Sequence, residues 1–177
     1  MREVAYVIVA LVALQRLFEV IYAGRNTRRL FARGATEAGR GHYPLIVTLH
    51  VAWLAAIVLL LPKQVSISWL LIAAIVLLQA LRLWVIATLG PYWTTRIVTL
   101  DGTPLIRRGP YRWVRHPNYL IVAAEIIILP LAFGETAVAV AFTVLNSAIL
   151  AWRIREEDRA LSNRRALADS GAEAAKG

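Results

Sequence analysis

The hydrophobic pattern of this chain consists of long apolar runs separated by short polar segments rich in arginine. The first three runs each have about 20 residues, the length that a helix needs to cross ~30 Å of hydrocarbon. Two shorter runs follow, joined by a tight turn at 133–135. We therefore predict five transmembrane helices, of which the last two form a C-terminal hairpin. Their predicted bounds are 4–24, 43–61, 68–89, 119–133 and 136–152.

These runs predict an all-α, polytopic membrane protein with one domain over residues 1–166. A cytoplasmic connector, 90–118, separates the third and fourth helices, and the small, polar segment 167–177 is predicted to be a disordered tail. The first run could instead be a signal peptide. It has no small-residue cleavage signal and carries Gln15 and Arg16 near its end, so we interpret it as a membrane helix.

Composition supports a membrane protein and narrows its chemistry. The mean hydropathy is +0.59 and 59% of the residues are hydrophobic, whereas soluble domains have about 45–50% apolar residues. The chain has no cysteine, which excludes disulfide bonds and thiolate chemistry. Its three histidines have no carboxylate at ligand spacing, so we expect no metal site.

The net charge of +9 is unevenly distributed along the chain. Sixteen Lys and Arg residues fall in the first loop, the connector and the tail, whereas Arg2 and Lys63 fall on the opposite side. The positive-inside rule then places the N-terminus outside and the C-terminus in the cytoplasm. The charge is thus a topology signal, strengthened by attraction to anionic membrane lipids, and we do not expect nucleic-acid binding. The abundance of arginine and alanine indicates a bacterial protein, hence the inner membrane.

Four ionisable residues lie within the predicted helices, where charges are costly and by default indicate function. Arg16 and Glu19 are three residues apart, so they share a helix face and can pair. Arg82 and Glu125 lie in the third and fourth helices. Buried salt bridges and arginines that reach the membrane surface are the structural alternative. For Glu125, the one acid in its helix, we predict a catalytic role.

Two motifs flank the predicted hairpin. The stretch GPYRWVRHPNYL (109–120) leads into the fourth helix, and RIREEDRAL (153–161) leaves the fifth. A hairpin brings both to one cytoplasmic surface, where the fourth helix offers free N–H groups and its positive dipole end. Arg153 and Glu157 are four residues apart and project from one face. Taken separately, the motifs could be an interfacial aromatic belt and a solvated helix end.

Together, GPY-x4-HPNY and R-x3-E-D-x2-L resemble the isoprenylcysteine carboxyl methyltransferase family and, more distantly, phospholipid methyltransferases and sterol reductases. The resemblance covers roughly 92–161. It implies a membrane-embedded, S-adenosylmethionine-dependent methyltransferase with a cytoplasm-facing cofactor pocket and a lipophilic substrate that enters from the bilayer. The chain departs from the family pattern at Ile121, where members often have glycine, and at Asp158, where they have glutamate.

The resemblance also implies roles for individual residues. Arg153 would orient the acceptor oxygen as a catalytic residue. Apart from the resemblance, we expect Arg112 and Arg115 to contact lipid headgroups. The implied cofactor contacts are Thr103, Pro104, Leu105, Ile106, Tyr111, His116, Pro117, Asn118, Tyr119 and Glu157. These types suit the cofactor, because its carboxylate fits arginines and a helix N-terminus, and its ribose hydroxyls fit a carboxylate. The chain has no glycine-rich dinucleotide fingerprint, which argues against a soluble-type cofactor fold.

The acceptor determines which further groups are needed. A carboxylate is already ionised, whereas a phenol with a pKa of about 10 benefits from a base, for which Glu125 and His116 are the candidates. Relatives with a run like Trp93 to Arg96 include alkylresorcinol and alkylpyrone methyltransferases. We therefore favour a lipidic phenol or enol over an isoprenylcysteine carboxylate. Phospholipid N-methylation and a non-enzymatic membrane scaffold are the alternatives, and the sequence predicts no oligomeric state.

Overall fold

The protein is described by a computed structural model that covers residues 1–39, 41–103 and 105–162. Its helical membrane architecture confirms the predicted fold class. Within these residues, four helices are long and apolar enough to cross a membrane, and α4 is a shorter apolar helix. The elements in chain order are α1 (Arg2–Phe31), β1 (Thr36–Ala38), α2 (His42–Leu60), α3 (Trp69–Leu89), β2 (Ile97–Thr99), α4 (Pro117–Ala132) and α5 (Thr136–Ala160).

Helices α1 and α5 are longer than their hydrophobic runs. The first continues beyond residue 24 to Phe31, and the last continues beyond residue 152 to Ala160. Both extensions are rich in arginine, which is a good helix former but ends a hydrophobic run. The extension of α5 matters for the site, because it carries Arg153 and Glu157 on a regular helix.

A small antiparallel sheet joins the first loop to the connector, which the sequence did not predict. Thr36 of β1 lies opposite Thr99 of β2, and Ala38 lies opposite Ile97. An ion pair of 3.1 Å between Arg96 Nη1 and Glu37 Oε2 reinforces this contact. The sheet therefore holds part of the connector in a defined position instead of leaving it as a loop.

The C-terminal hairpin is present as predicted, with α4 packed between α3 and α5. Its turn includes Gly134, whose φ of +81° is the left-handed conformation that often ends a helix. Apolar side chains from α1 to α5 form a core in the half of the bundle away from the connector, including Val9, Trp53, Ile75 and Leu129. This core fixes the hairpin, so the starting end of α4 and the final turns of α5 lie side by side.

Candidate active site

A cavity of about 650 Å³ lies where the connector, the start of α4 and the end of α5 meet. Small-molecule sites usually have volumes of roughly 300–1,000 Å³, so this cavity can hold a cofactor-sized ligand. Its lining residues are Leu89, Tyr92, Trp93, Thr94, Arg96, Ile97, Val98, Leu105, Ile106, Arg107, Tyr111, Arg112, Arg115, His116, Asn118, Tyr119, Arg153, Glu157 and Leu161.

Most of the residues implied as cofactor contacts line this cavity. They are Leu105, Ile106, Tyr111, His116, Asn118, Tyr119 and Glu157, together with the implied catalytic residue Arg153. Pro117 is instead buried in the first turn of α4, where a missing N–H costs little. Thr103 is partly buried in the turn after Gly102 and is not among the lining residues. Pro104 lies outside the described residues.

The hydroxyl of Tyr119 joins the two motifs inside the cavity. Arg153 Nε donates to this oxygen at 2.6 Å, and the hydroxyl in turn donates to Glu157 Oε2. Arg153 also donates from Nη2 to the backbone oxygen of Thr95 at 2.8 Å. Three separate chain segments are therefore held together by one buried guanidinium.

His116 lies against this group. Its ring stacks on that of Tyr119, with centroids 5.2 Å apart and planes inclined by 6°. Its Nε2 is 3.4 Å from Asp158 Oδ1, and its Nδ1 is 3.9 Å from Glu157 Oε2. The His116 ring thus lies between these two carboxylates and on the wall of the cavity.

Tyr111 reaches the cavity from a 3₁₀ turn at Gly109–Arg112. Burial raises the pKa of the Tyr111 phenol above its ordinary value, and the negative charge of Glu157 raises this pKa further by a smaller amount. Tyr111 therefore stays protonated at neutral pH and can donate a hydrogen bond to a bound ligand.

The turn that carries Tyr111 requires glycine at its first position. Gly109 has a φ of +55°, and a Cβ there would lie 2.6 Å from Thr88 Oγ1 of α3. A side chain would meet both backbone strain and a steric clash. The glycine of the GPY motif thus lets the connector pack directly onto α3.

Comparison with known proteins assigns the chain to a family. The model of the isoprenylcysteine carboxyl methyltransferase (ICMT) family matches residues 69–163, more than half of the chain and most of the cavity. The chain belongs to this family. Membership of the isoprenylcysteine carboxyl methyltransferase family implies a membrane methyltransferase, in agreement with the four apolar helices.

Two relatives extend this similarity to most of the chain. The "Uncharacterized protein YpbQ" of Bacillus subtilis is 40% identical over 160 residues, covering 88% of this chain and 95% of the relative. An "Uncharacterized protein" of Haemophilus influenzae is 29% identical over 153 residues, covering 84% of this chain and 89% of the relative. No solved structure matches the chain. Both relatives are named only as uncharacterized proteins, so their names indicate no methyl acceptor for this isoprenylcysteine carboxyl methyltransferase family member.

Sequence reasoning missed one wall of the cavity. Thr94, Ile97 and Val98 line it, from β2 and the residues that precede it. The sequence feature that could have found this wall is the run from Trp93 to Arg96. We used it to favour a class of methyl acceptor and did not infer from it that these residues line the cavity. Arg112 and Arg115, which we expected at lipid headgroups, also line the cavity.

Glu125 lies outside this set. It is 2% exposed and is not among the residues that line the cavity. Its Oε2 accepts from Arg16 Nη2 and, at 2.6 Å, from Arg82 Nη2. The predicted pairing of Arg16 with Glu19 is confirmed at 2.9 Å. A catalytic role for Glu125 stays a prediction, and the structure gives it two arginine partners instead of a place on the cavity.

Proposed function

We propose that this chain is an integral-membrane, S-adenosylmethionine-dependent O-methyltransferase that acts on a lipophilic acceptor. The observation that carries the proposal is the meeting of the two motifs in one cavity, where Tyr119 is hydrogen-bonded to both Arg153 and Glu157. Neither an interfacial belt nor a solvated helix end requires residues so far apart in sequence to be hydrogen-bonded to one another around a cofactor-sized space.

The donor set of the cavity fits S-adenosylmethionine, which would supply a methyl group activated on a sulfonium. Arginines and the start of α4 suit its carboxylate, and Glu157 suits its ribose hydroxyls or its ammonium group. Trp93 and Tyr111 offer aromatic surface for the adenine. Among the described residues, no cluster of three or more His, Asp and Glu side chains could hold a metal ion.

The charge of the cavity favours an oxygen acceptor. Five arginines line it, whereas Glu157 is its one carboxylate among the described residues; the arginines are Arg96, Arg107, Arg112, Arg115 and Arg153. Nearby positive charge stabilises a carboxylate and lowers the pKa of a phenol or enol, so it favours the nucleophilic form of each. An ammonium headgroup such as that of phosphatidylethanolamine must lose a proton before N-methylation, and among the described residues Glu157 is the one carboxylate of the lining that could receive it, so the N-methylation alternative has less support.

Arg153 is the residue that we assign to the acceptor oxygen. Two of its nitrogens are held by Tyr119 and Thr95, so the guanidinium is fixed before substrate arrives, which reduces the entropic cost of alignment. For a phenolic acceptor, the His116 imidazole on the cavity wall is placed to take the proton. A lipidic phenol or enol, of the alkylresorcinol or alkylpyrone type, is our first choice, followed by an isoprenylcysteine carboxylate.

Cofactor binding is the first test. Detergent-solubilised protein should bind S-adenosylhomocysteine saturably, and Glu157→Ala should weaken binding by more than about tenfold, because one charge-assisted hydrogen bond contributes roughly that factor. Glu156→Ala is the matched control, since Glu156 pairs with Arg159 at the surface and does not line the cavity. Absence of binding by folded wild-type protein would contradict the enzyme proposal and favour the scaffold alternative.

The acceptor is a separate question. Transfer of a labelled methyl group should be measured to an alkylresorcinol, farnesylcysteine and phosphatidylethanolamine in parallel. We expect the label on oxygen of the alkylresorcinol. Labelling of phosphatidylethanolamine alone would contradict O-methylation while leaving the reaction class intact.

A further inference from the structure

A closed ring of four charges joins three helices of the bundle, with Arg82 and Glu125 buried and Arg16 and Glu19 partly buried. Arg16 and Glu19 come from α1, Arg82 from α3 and Glu125 from α4. Each arginine contacts both glutamates: Arg82 lies 3.2 Å from Glu19 and 2.6 Å from Glu125, and Arg16 pairs with the same two carboxylates. The two positive and two negative charges balance. An unpaired charge within a membrane helix would be strongly destabilising, so this balance is required.

Side-chain amides extend this ring in two directions. Gln15 donates to Glu19 Oε1 at 3.0 Å and to Gln79 Oε1 at 2.7 Å, which joins α1 to α3. On the opposite side, Arg82 Nη1 donates to Asn118 Oδ1 at 3.3 Å. Asn118 also lines the cavity, so it is the point at which the ring meets the proposed site.

Arg82 holds α4 at two positions. Asn118 and Glu125 are seven residues apart, which places them on one face of the helix about 10 Å apart along its axis. The guanidinium bonds to Asn118 through Nη1 and to Glu125 through Nη2. Nη1 also donates to Glu19 of α1 at 3.2 Å, a longer contact than the 2.6 Å bond to Glu125.

The chemistry of this contact fixes the orientation of an amide. A guanidinium has only donors, so Asn118 must turn its oxygen towards Arg82. The NH₂ group of Asn118 is then the part of the amide left for the cavity. A cavity that presents a fixed donor at this point selects a ligand with an acceptor there, such as a carboxylate, hydroxyl or ring nitrogen.

We propose that the Arg82–Glu125 pair of the four-charge ring is a positioning device, in which Arg82, held by Glu125, keeps the Asn118 amide turned with its NH₂ group towards the ligand. The proposal rests on the proposed function for the identity of that ligand. In this role Arg82 and Glu125 are positioning residues that act through Asn118. If the ring were merely structural, it would stabilise the bundle, and removing either of its ion pairs would affect ligand binding to the same extent.

Two double variants separate these roles. R82Q/E125Q removes one positive and one negative charge and leaves Arg16 paired with Glu19. R16Q/E19Q is the matched control, because it also removes one charge of each sign but keeps Arg82 bonded to Glu125 and Asn118. We expect R82Q/E125Q to weaken S-adenosylhomocysteine binding by about tenfold or more, and R16Q/E19Q to change it by less than about threefold.

Thermal stability is measured on both variants alongside binding. If affinity falls equally in the two, or follows the loss of stability in each, the ring is structural and the positioning role is overturned. A loss of the alkaline or acidic limb of the kcat–pH profile in Glu125→Gln, with binding unchanged, would also overturn it and would favour the catalytic role predicted from the sequence.

A second readout needs no ligand. In protein labelled with ¹⁵N-asparagine, the side-chain amide protons of Asn118 should exchange slowly with solvent in the wild type and in R16Q/E19Q. In R82Q/E125Q their signals should broaden or their exchange should become faster, because the amide is then free to rotate. Unchanged signals in R82Q/E125Q would overturn the positioning role. Failure of wild-type protein to bind S-adenosylhomocysteine would instead count against the proposed function alone.

Discussion

At the scale of single residues, Arg153 is the residue to which we assign the acceptor oxygen. It is 8% exposed, bonded through Nε to Tyr119 and through Nη2 to Thr95, and lies on the cavity. If it orients the acceptor, Arg153→Ala should lower kcat by about 100-fold or more while S-adenosylhomocysteine affinity changes by less than about threefold. Single-turnover assays and equilibrium binding measure the two quantities separately.

The control for this prediction lies on the same helix. Arg155 is exposed, so Arg155→Ala should leave both turnover and binding nearly unchanged. A large loss of cofactor affinity in Arg153→Ala would show that this arginine serves the cofactor instead of the acceptor. Arg153→Lys distinguishes charge from geometry, because a lysine keeps the charge but lacks the planar fork that bonds two acceptors at once.

The residues of the two motifs predicted more of the site than did the position of a charged residue inside a membrane helix. The family resemblance carried by the two motifs implied Tyr111, Tyr119 and Glu157 as cofactor contacts, and all three line one cavity. The depth of Glu125 in its helix suggested reactivity, but its partners Arg16 and Arg82 are 109 and 43 residues away in sequence. Helix periodicity predicts which face a residue occupies and carries no information about which distant helix meets that face.

At the scale of elements, the 3₁₀ turn at Gly109–Arg112 depends on its glycine. Gly109→Ala combines a φ of +55° with a Cβ only 2.6 Å from Thr88 Oγ1. We expect it to destabilise the fold by about 1–3 kcal/mol and, by displacing Tyr111, to weaken S-adenosylhomocysteine binding by about tenfold. Thermal unfolding and equilibrium binding of the purified variant check both parts.

A second glycine separates strain from steric clash. Gly102 has a φ of +72° but no atom within 4 Å of an added Cβ, so Gly102→Ala reports strain alone. Adding Thr88→Ala to Gly109→Ala removes the clash and should restore part of the lost binding. If Gly102→Ala impaired binding as much as Gly109→Ala does, contact of the turn with α3 would not be the cause.

Short elements were the ones that the sequence could not predict. Each strand of the β1–β2 sheet has three residues, too few for an alternating pattern, and the strands pair across about 60 residues of chain. The helices were found because hydrophobic runs of about 20 residues give a strong signal. The polar ends of α1 and α5 were missed for the opposite reason, since arginine ends a hydrophobic run without ending a helix.

At the scale of the whole molecule, function depends on which side of the membrane the cavity faces. The connector, the start of α4 and the end of α5 lie at one end of the bundle, and the loop between α2 and α3 lies at the other. S-adenosylmethionine is made in the cytoplasm, so the proposed function requires the connector on that side. The distribution of arginine predicts the same orientation independently.

The lack of native cysteine makes this orientation directly testable. Lys63 lies in the α2–α3 loop and Arg108 in the connector, and both are exposed. In intact cells, a membrane-impermeant maleimide should label Lys63→Cys and not Arg108→Cys, whereas both should react after the membrane is permeabilised. Labelling of Arg108→Cys alone in intact cells would reverse the topology and place the cavity away from its cofactor, so it would contradict the orientation and the proposed function together.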